Sequence, residues 1–308
     1  MDGFIVVDKP AGITSHDVVS IMRRLAGMKK VGHTGTLDPF ATGVLPVALG
    51  EGTKAIPFLD ESVKEYRAVM RLGESTDTQD CTGTVVRRGE WQEILSSSIE
   101  GAALNFIGTG SQVPPMFSAV KRNGVPLYRL ARKGEEVHRE PRQIVIHALT
   151  IDRIDLPDVA FTVSCSRGVY VRTLASDLGD MLGCGAHLIQ LRRTASGPFG
   201  LGDACSLEKL GVASGNGSLS SLVIPCRTAL AQLRDLCLTA RGAERVASGI
   251  APDPADLESI PDGHFRQGER MLLSRGGMLL AVAESTDGEW PQSGCRPRLL
   301  RVFTGVEC

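Results

Sequence analysis

Apolar residues fall in short blocks along the chain, each bounded by glycine, proline or a capping residue. Phe4 to Val7 is one such block and predicts a short buried strand. Lys9-Pro10-Ala11-Gly12 then turns the chain, because proline fixes φ and glycine tolerates positive φ. Thr14-Ser15-His16-Asp17 has the pattern of a capping box, with Val18, Ile21, Met22 and Leu25 following at helical spacing until Gly27. Tyr66, Ala68, Met70 and Leu72 alternate with Arg67, Val69 and Arg71, which predicts a strand. Trp91, Ile94, Leu95 and Ile99 predict an amphipathic helix over 91–104. Ile144 to Ile146 and Val159 to Cys165 are rich in β-branched residues and read as strands, and Val171 to Leu182 is again helical in period.

Strands and helices do not alternate regularly, so the pattern predicts an α+β fold on a mixed, mainly antiparallel sheet rather than a doubly wound one. Two segments interrupt it. Pro114 to Arg142 is basic, rich in glycine and proline, and is expected to project from the sheet. Ala213 to Ser221 is expected to be a flexible loop. After about Leu236 the pattern becomes one helix and short strands (Phe265–Ser274, Met278–Glu284, Leu299–Phe303), predicting a small β-rich second domain over 236–308 after a first over 1–235.

At 308 residues the chain is long enough for two domains, and 42% hydrophobic with 22% charged residues is an ordinary globular composition. No run of about 18 apolar residues occurs, and Met1 to Asp8 lacks the basic region of a secretory signal, so the expectation is a cytoplasmic protein without a membrane partner. Eight cysteines at irregular intervals, with no Cys-x-x-Cys pair, argue against a zinc site and a disulfide framework. The formal charge of −1 hides segregation. Lys121 to Arg142 holds seven basic and three acidic residues, Arg23, Arg24, Lys29 and Lys30 form a second basic cluster, and Arg167, Arg172, Arg192 and Arg193 a third. Asp253, Asp256, Glu258 and Asp262 gather elsewhere. Basic clusters of this kind suit either a phosphate-binding face or solvated helix surfaces. The P-loop, dinucleotide, zincin and nucleophile-elbow motifs are all missing, which leaves a nucleotide-cofactor or metal enzyme without support.

The candidate chemistry lies in Gly32-His33-Thr34-Gly35-Thr36-Leu37-Asp38-Pro39. This run is too dense in turn formers for a helix, and Pro39 keeps Asp38 out of the α region. Leu45 to Leu49 supplies apolar walls behind it. On these residues alone Asp38 either caps a turn or is a catalytic carboxylate.

The wider sequence resembles the bacterial TruB-type tRNA pseudouridine synthases. The resemblance runs in order through Lys9 to Ser15, the segment Gly32–Pro39, Glu65-Tyr66-Arg67, Leu72-Gly73, Ser75 to Asp80, Pro114 to Lys121, Ser166 to Leu174 and Gly185 to Arg193. It is looser over the last seventy or so residues, which are similar to the family's PUA-like RNA-binding domain. It implies the pseudouridine synthase fold and the isomerisation of uridine 55 in the T-loop of tRNA, with no cofactor and no metal. By the resemblance, Asp38 is the nucleophile or ribose base, Arg172 the arginine paired with it, and Tyr66 the residue that stacks on the flipped uracil and removes the C5 proton. Tyr170 and Leu191 line the nucleotide pocket, His33 contacts displaced T-loop nucleotides, and Lys9 braces the pocket floor. Each also has a plain structural reading: Arg172 as a surface residue at a helix start, Tyr66 as a half-buried strand tyrosine, Leu191 as core, His33 as a loop donor. Phe40 departs from the usual leucine. The segment 114–142 corresponds to an RNA-gripping insertion, which the guide-RNA-dependent relatives are expected to lack. The expected partner is therefore the tRNA T-arm, bound by a monomer without a guide RNA. An RNA chaperone without catalysis and a metal- or nucleotide-dependent hydrolase are the competing classes.

Overall fold

The computed structural model describes residues 1–303 apart from 123, 261, 262, 287, 293 and 294. Asp262 of the acidic stretch and Cys308 lie outside the described residues. The fold is α+β. Among the described residues, ten strands form one mixed sheet, in the order Ala204–Cys205, Gly3–Lys9, Thr42–Leu49, Ala186–Ser196, Val63–Leu72, Asp158–Ser166, Arg142–Asp155, Gly108–Gln112. Val31–His33 and Phe199–Gly200 pair beside this path. Two of its pairings are parallel, Gly3–Lys9 with Ala204–Cys205 and Ala186–Ser196 with Thr42–Leu49, and the others are antiparallel.

The predicted alternation holds along Val63–Leu72, where every second residue from Lys64 to Leu72 is buried. The helix Ser15–Ala26 starts with the expected capping box between Thr14 and Asp17 and ends on Gly27 in the left-handed region. Its buried stripe of Val18, Val19 and Met22 joins the helix Val171–Met181 (Leu174, Ala175, Leu178) in the main core.

Several expectations are corrected. The helix expected over 91–104 covers only Ser96–Leu104, because Leu95 is extended (φ −77°, ψ 146°) and the helix begins with three serines. The expected loop 213–221 is ordered by burial. The helix Leu207–Gly215 keeps Ala213 in the core, and Leu219 in a 3-10 turn packs beside it. The strand expected from Phe265 begins at Arg270, while Phe265 is a buried loop residue under the Arg234 guanidinium, 3.5 Å from its ring centre. A hairpin of Glu74–Thr76 with Val85–Arg88 escapes the sequence pattern, since Val85–Arg88 is exposed throughout.

A second sheet, Arg234–Cys237, Arg270–Arg275, Met278–Glu284 and Arg298–Val302, follows in the C-terminal part of the chain. One face forms its own core around Trp290, Phe265 and Leu273. The other face places Leu272, Leu279, Val282 and Phe303 in one apolar cluster with Phe4, Val6 and Val44 of the large sheet and Phe58 of the 3-10 turn Ile56–Phe58. No helix among the described residues is long and apolar enough to cross a membrane.

Candidate active site

Asp38 sits in the loop between Val31–His33 and Thr42–Leu49. The loop is held by its neighbours rather than by regular structure. The Ser15 hydroxyl accepts from Leu37 N at 2.9 Å and donates to Leu37 O at 3.2 Å. Gly12 N donates to Pro39 O and Ala41 N to Asp38 O. The fully buried Lys9 ammonium donates to the carbonyls of Pro10, Ile13 and Pro39. Burial pulls the Lys9 pKa down to about 8, and the Asp38 charge opposes that pull. Lys9 thus braces the residue after Asp38 from below.

Arg172 approaches from the first turn of the helix Val171–Met181. Its Nε donates to Asp38 Oδ2 at 2.8 Å and its Nη2 to Oδ1 at 3.2 Å, a two-point clasp that fixes the carboxylate plane. The guanidinium is satisfied on its other edges by the carbonyls of Thr78 (2.6 Å) and Phe117 (2.8 Å), with Asp80 Oδ2 3.6 Å away. The Arg172 side chain is 3% exposed and that of Asp38 32%. Arg172 is therefore not the surface residue its position allowed, and its charge belongs to Asp38.

The third basic cluster read from the sequence divides: Arg167 is exposed, whereas Arg172 and Arg193 are buried. Arg193 is wholly buried, and Arg192 is clasped by Asp8 at 3.0 and 2.8 Å. The Arg193 guanidinium bonds the carbonyls of Val44 (2.7 Å), Thr36 (3.4 Å) and Gly35 (3.1 Å), so it holds the Asp38 loop from the side opposite Arg172. The close approach requires glycine at position 43, with φ at +101°, because a Cβ there would lie 2.2 Å from Arg193 O.

Tyr66 faces Arg193 across the pairing of Val63–Leu72 with Ala186–Ser196, and Leu191 faces Ala68 one step along. Both are buried in the main core. Burial raises the Tyr66 pKa, while the neighbouring Arg193 guanidinium works against the rise. Tyr170 precedes the Arg172 helix, and the Gln112 side chain pins its backbone by accepting from Tyr170 N (2.8 Å) and donating to Tyr170 O (3.1 Å). Burial raises the Tyr170 pKa too, and Asp38 adds to the rise. Of the seven site residues named from the sequence, Asp38 and Arg172 are joined directly, Lys9 holds the same loop through Pro39, and Tyr66 and Tyr170 lie near enough to feel the Asp38 charge, while Leu191 is a core residue opposite Ala68. His33 stands apart. Its ring lies among Arg193, His16, Glu61 and Lys64, and burial followed by those cations lowers its pKa toward the neutral imidazole.

Sequence reasoning gave no role to the turn that backs Arg172. Gln79 adopts φ +62°, the only non-glycine at positive φ among the described residues, which costs conformational energy for a residue with a Cβ. Its Oε1 accepts from Thr173 and its carbonyl from Leu188 N, and this places the Thr78 carbonyl on Arg172. Asp80 is buried and accepts from the Thr78 and Thr82 hydroxyls. The hydroxyls two residues to either side of Asp80 were the available signal. Among the described residues, no group of three or more His, Cys, Asp or Glu is placed to hold a metal ion.

A carboxylate clasped by a buried arginine and open on one side, beside a buried tyrosine and an apolar wall, is suited to covalent or acid–base chemistry on a flat, uncharged ring. The TruB family pseudouridylate synthase N-terminal domain model matches residues 23–171, and the tRNA pseudouridylate synthase B C-terminal domain model matches 172–231. The chain is 57% identical to the tRNA pseudouridine synthase B of Geotalea uraniireducens strain Rf4, covering 98% of both proteins. It is 56% identical to that of Geobacter sulfurreducens, covering 98% of this chain and 100% of the other. Among solved structures, a Cbf5-Nop10-Gar1 complex has a chain similar at TM-score 0.74 and 26% identity, covering 98% of this chain and 85% of that one. On these matches the chain belongs to the TruB family of pseudouridylate synthases and is a tRNA pseudouridine synthase, an isomerase.

Proposed function

We propose that this enzyme converts uridine 55 in the T-loop of tRNA to pseudouridine, with Asp38, Tyr66 and Arg172 carrying the chemistry. The observation that supports this most is the asymmetric pair, a buried Arg172 holding a partly exposed Asp38. The target base is extruded from the T-loop and stacks on Tyr66 between Tyr170 and Leu191. Asp38 acts on the ribose, as nucleophile at C1′ or as base beside it, and the N1–C1′ bond breaks with its electrons going to uracil. The uracil turns, C5 bonds to C1′, and the Asp38 carboxylate is set free again. The C5 proton leaves through the Tyr66 hydroxyl and N1 is protonated. No electron is gained or lost overall, so the reaction calls for no redox cofactor.

Residues 1–235 act as the catalytic domain. The segment 114–142, with exposed Lys121, Arg122, Lys133 and Arg142, grips the T-arm. Residues 236–308 act as a PUA-like RNA-binding domain, and His33 meets nucleotides displaced from the T-loop. The chain works as a monomer and selects its substrate without a guide RNA. The test is release of label from C5-tritiated uridine in a T-arm minihelix, with no cofactor added. One equivalent of label lost per uridine 55 is the expected result. Release only with an added guide RNA or cofactor, or none at all, would overturn the reading.

A further inference from the structure

Four cationic side chains are buried at or beside the Asp38 loop, and three of them are fully engaged. Lys9 bonds three carbonyls, Arg172 bonds Asp38 and two carbonyls, and Arg193 bonds three carbonyls. The fourth is Lys64. It opens the buried face of the strand Val63–Leu72, two residues before Tyr66, with Cys165 and Ser196 as its cross-strand neighbours. Lys64 is 8% exposed, yet its ammonium has no hydrogen-bond or ion-pair partner among the described residues. The ammonium lies against Gly35, where an added Cβ would come within 2.8 Å of Nζ. That is three residues from Asp38.

The surroundings of Lys64 are cationic and unsatisfied. Arg193, Arg167 and His33 gather there against a single carboxylate, Glu61, whose Oε2 is 3.7 Å from Arg167 Nη1. Burial, then Arg193, lowers the Lys64 pKa, and Glu61 offsets only part of this. His33 Nδ1, Thr34 Oγ1, Ser196 Oγ and Glu61 Oε1 are all buried without partners as well. Each orphaned buried polar atom is costly, and the Lys64 ammonium, at the end of a mostly buried side chain, is left without a counter-charge in contact. Glu61 Oε1 calls for a donor, but the Lys64 ammonium and the Thr34 and Ser196 hydroxyls are donors beside the reactive loop, and what they lack is an anionic acceptor.

We propose that Lys64 is the inner wall of a phosphate subsite, which receives the phosphodiester adjoining the target nucleotide, with Arg167 at its rim and the Thr34 hydroxyl as a further donor. This rests on the reading that an RNA nucleotide enters the Asp38 pocket. The phosphodiester is the one anion such a substrate carries. Its oxygens accept several donors at once and supply the counter-charge that Lys64 lacks. Anchored there, the backbone would fix the ribose against the Gly35–Asp38 loop while the base is out of its stack. Lys64 is then a positioning residue, acting on binding and alignment rather than on a bond.

The test uses T-arm minihelices carrying a neutral methylphosphonate at one linkage at a time around the target uridine. Binding, its salt dependence and single-turnover label release are measured for the wild type, K64M and K64R. In the wild type, one flanking linkage made neutral should weaken binding about tenfold. K64M should bind the unmodified RNA about tenfold more weakly, with a salt slope flatter by about one unit, and should no longer respond to that linkage. K64R should recover part of the loss. A K64M chain with the wild-type slope and the wild-type response to every linkage would overturn the subsite. K64Q is the second variant if K64M does not melt as a folded protein. A wild type indifferent to both linkages flanking the target overturns the proposal whatever the variants do. Failure of the wild type to release label from unmodified RNA would instead count against the proposed reaction, since the binding measurements read Lys64 separately.

Discussion

Two arginine–carboxylate networks in this molecule are built inside out relative to each other. In the Asp38 pocket the arginine is buried and the carboxylate reaches the opening, at 3% and 32% exposure. Beside the second sheet the carboxylate is buried, with one exposed arginine, Arg241, and one mostly buried, Arg245. Asp256 is 0% exposed, with Arg241, itself 69% exposed, 3.4 Å away and Arg245 at 3.3 Å. Asp253 extends this network to Arg245 (3.1 Å) and Arg296 (2.7 Å). Which partner is buried decides which charge the surface presents. The first network leaves its anion partly exposed, and the second leaves Arg241 and Arg296 as its exposed cations.

The sharpest way to break this contrast is at the presented anion. Asp38→Asn should lower turnover by about 10⁴-fold or more while tRNA binding stays within about tenfold, because the carboxylate serves the chemistry more than affinity. Tritium release by the purified Asn variant at more than about 1% of wild type would remove Asp38 from the mechanism.

The buried members are compared next, by denaturant unfolding. Arg172→Met leaves the buried Asp80 without its counter-charge and the Thr78 and Phe117 carbonyls without donors, so a loss of about 3 kcal/mol is expected. Asp256→Asn keeps an acceptor for the Asp253 amide, leaves the exposed Arg241 to water and leaves Arg245 paired with Asp253, so it should stay within about 1 kcal/mol of wild type. Equal losses in the two variants would mean that burial order carries no functional meaning.

The smallest effect is expected at the presented cations. Replacing Arg241 and Arg296 together by Gln should weaken tRNA binding by about 1 kcal/mol and flatten its salt slope by up to about two units, with label release at saturating RNA unchanged. Unchanged affinity and slope would make the second network a structural clasp only.

The sequence was readable where local chemistry decides structure. The turn formers around Asp38, the capping box at Thr14 and the alternation from Tyr66 to Leu72 each depend on neighbours a few positions away. The Asp38–Arg172 pair spans 134 residues, and only the family resemblance brought its members together. Arg193 was misread because nothing in its flanks distinguishes a buried arginine from a solvated one, and arginine is rarely fully buried. Its burial is set by three carbonyls near Asp38 and in the adjoining strand, more than 140 residues earlier in the chain. The expected loop at 213–221 failed for a related reason. Glycine and serine suggest freedom, but Ala213 and Leu219 have a core to enter. At the second sheet, composition announced a separate module and could not report that its inner face packs on Phe4, Val6 and Phe58.

That shared apolar cluster also bears on how the protein is made. Phe4 lies near the start of the chain, and the side chains that cover it beyond Phe199 include Leu272 and Val282. At a synthesis rate of about 5–20 residues per second, the first strand waits on the order of 15–50 s before Leu272 is even translated. Through that interval its outer face is an uncovered apolar edge, at risk of sticking to another nascent chain or in need of a chaperone. The large sheet can pair its strands early, but it becomes dry on both faces only as synthesis nears its end.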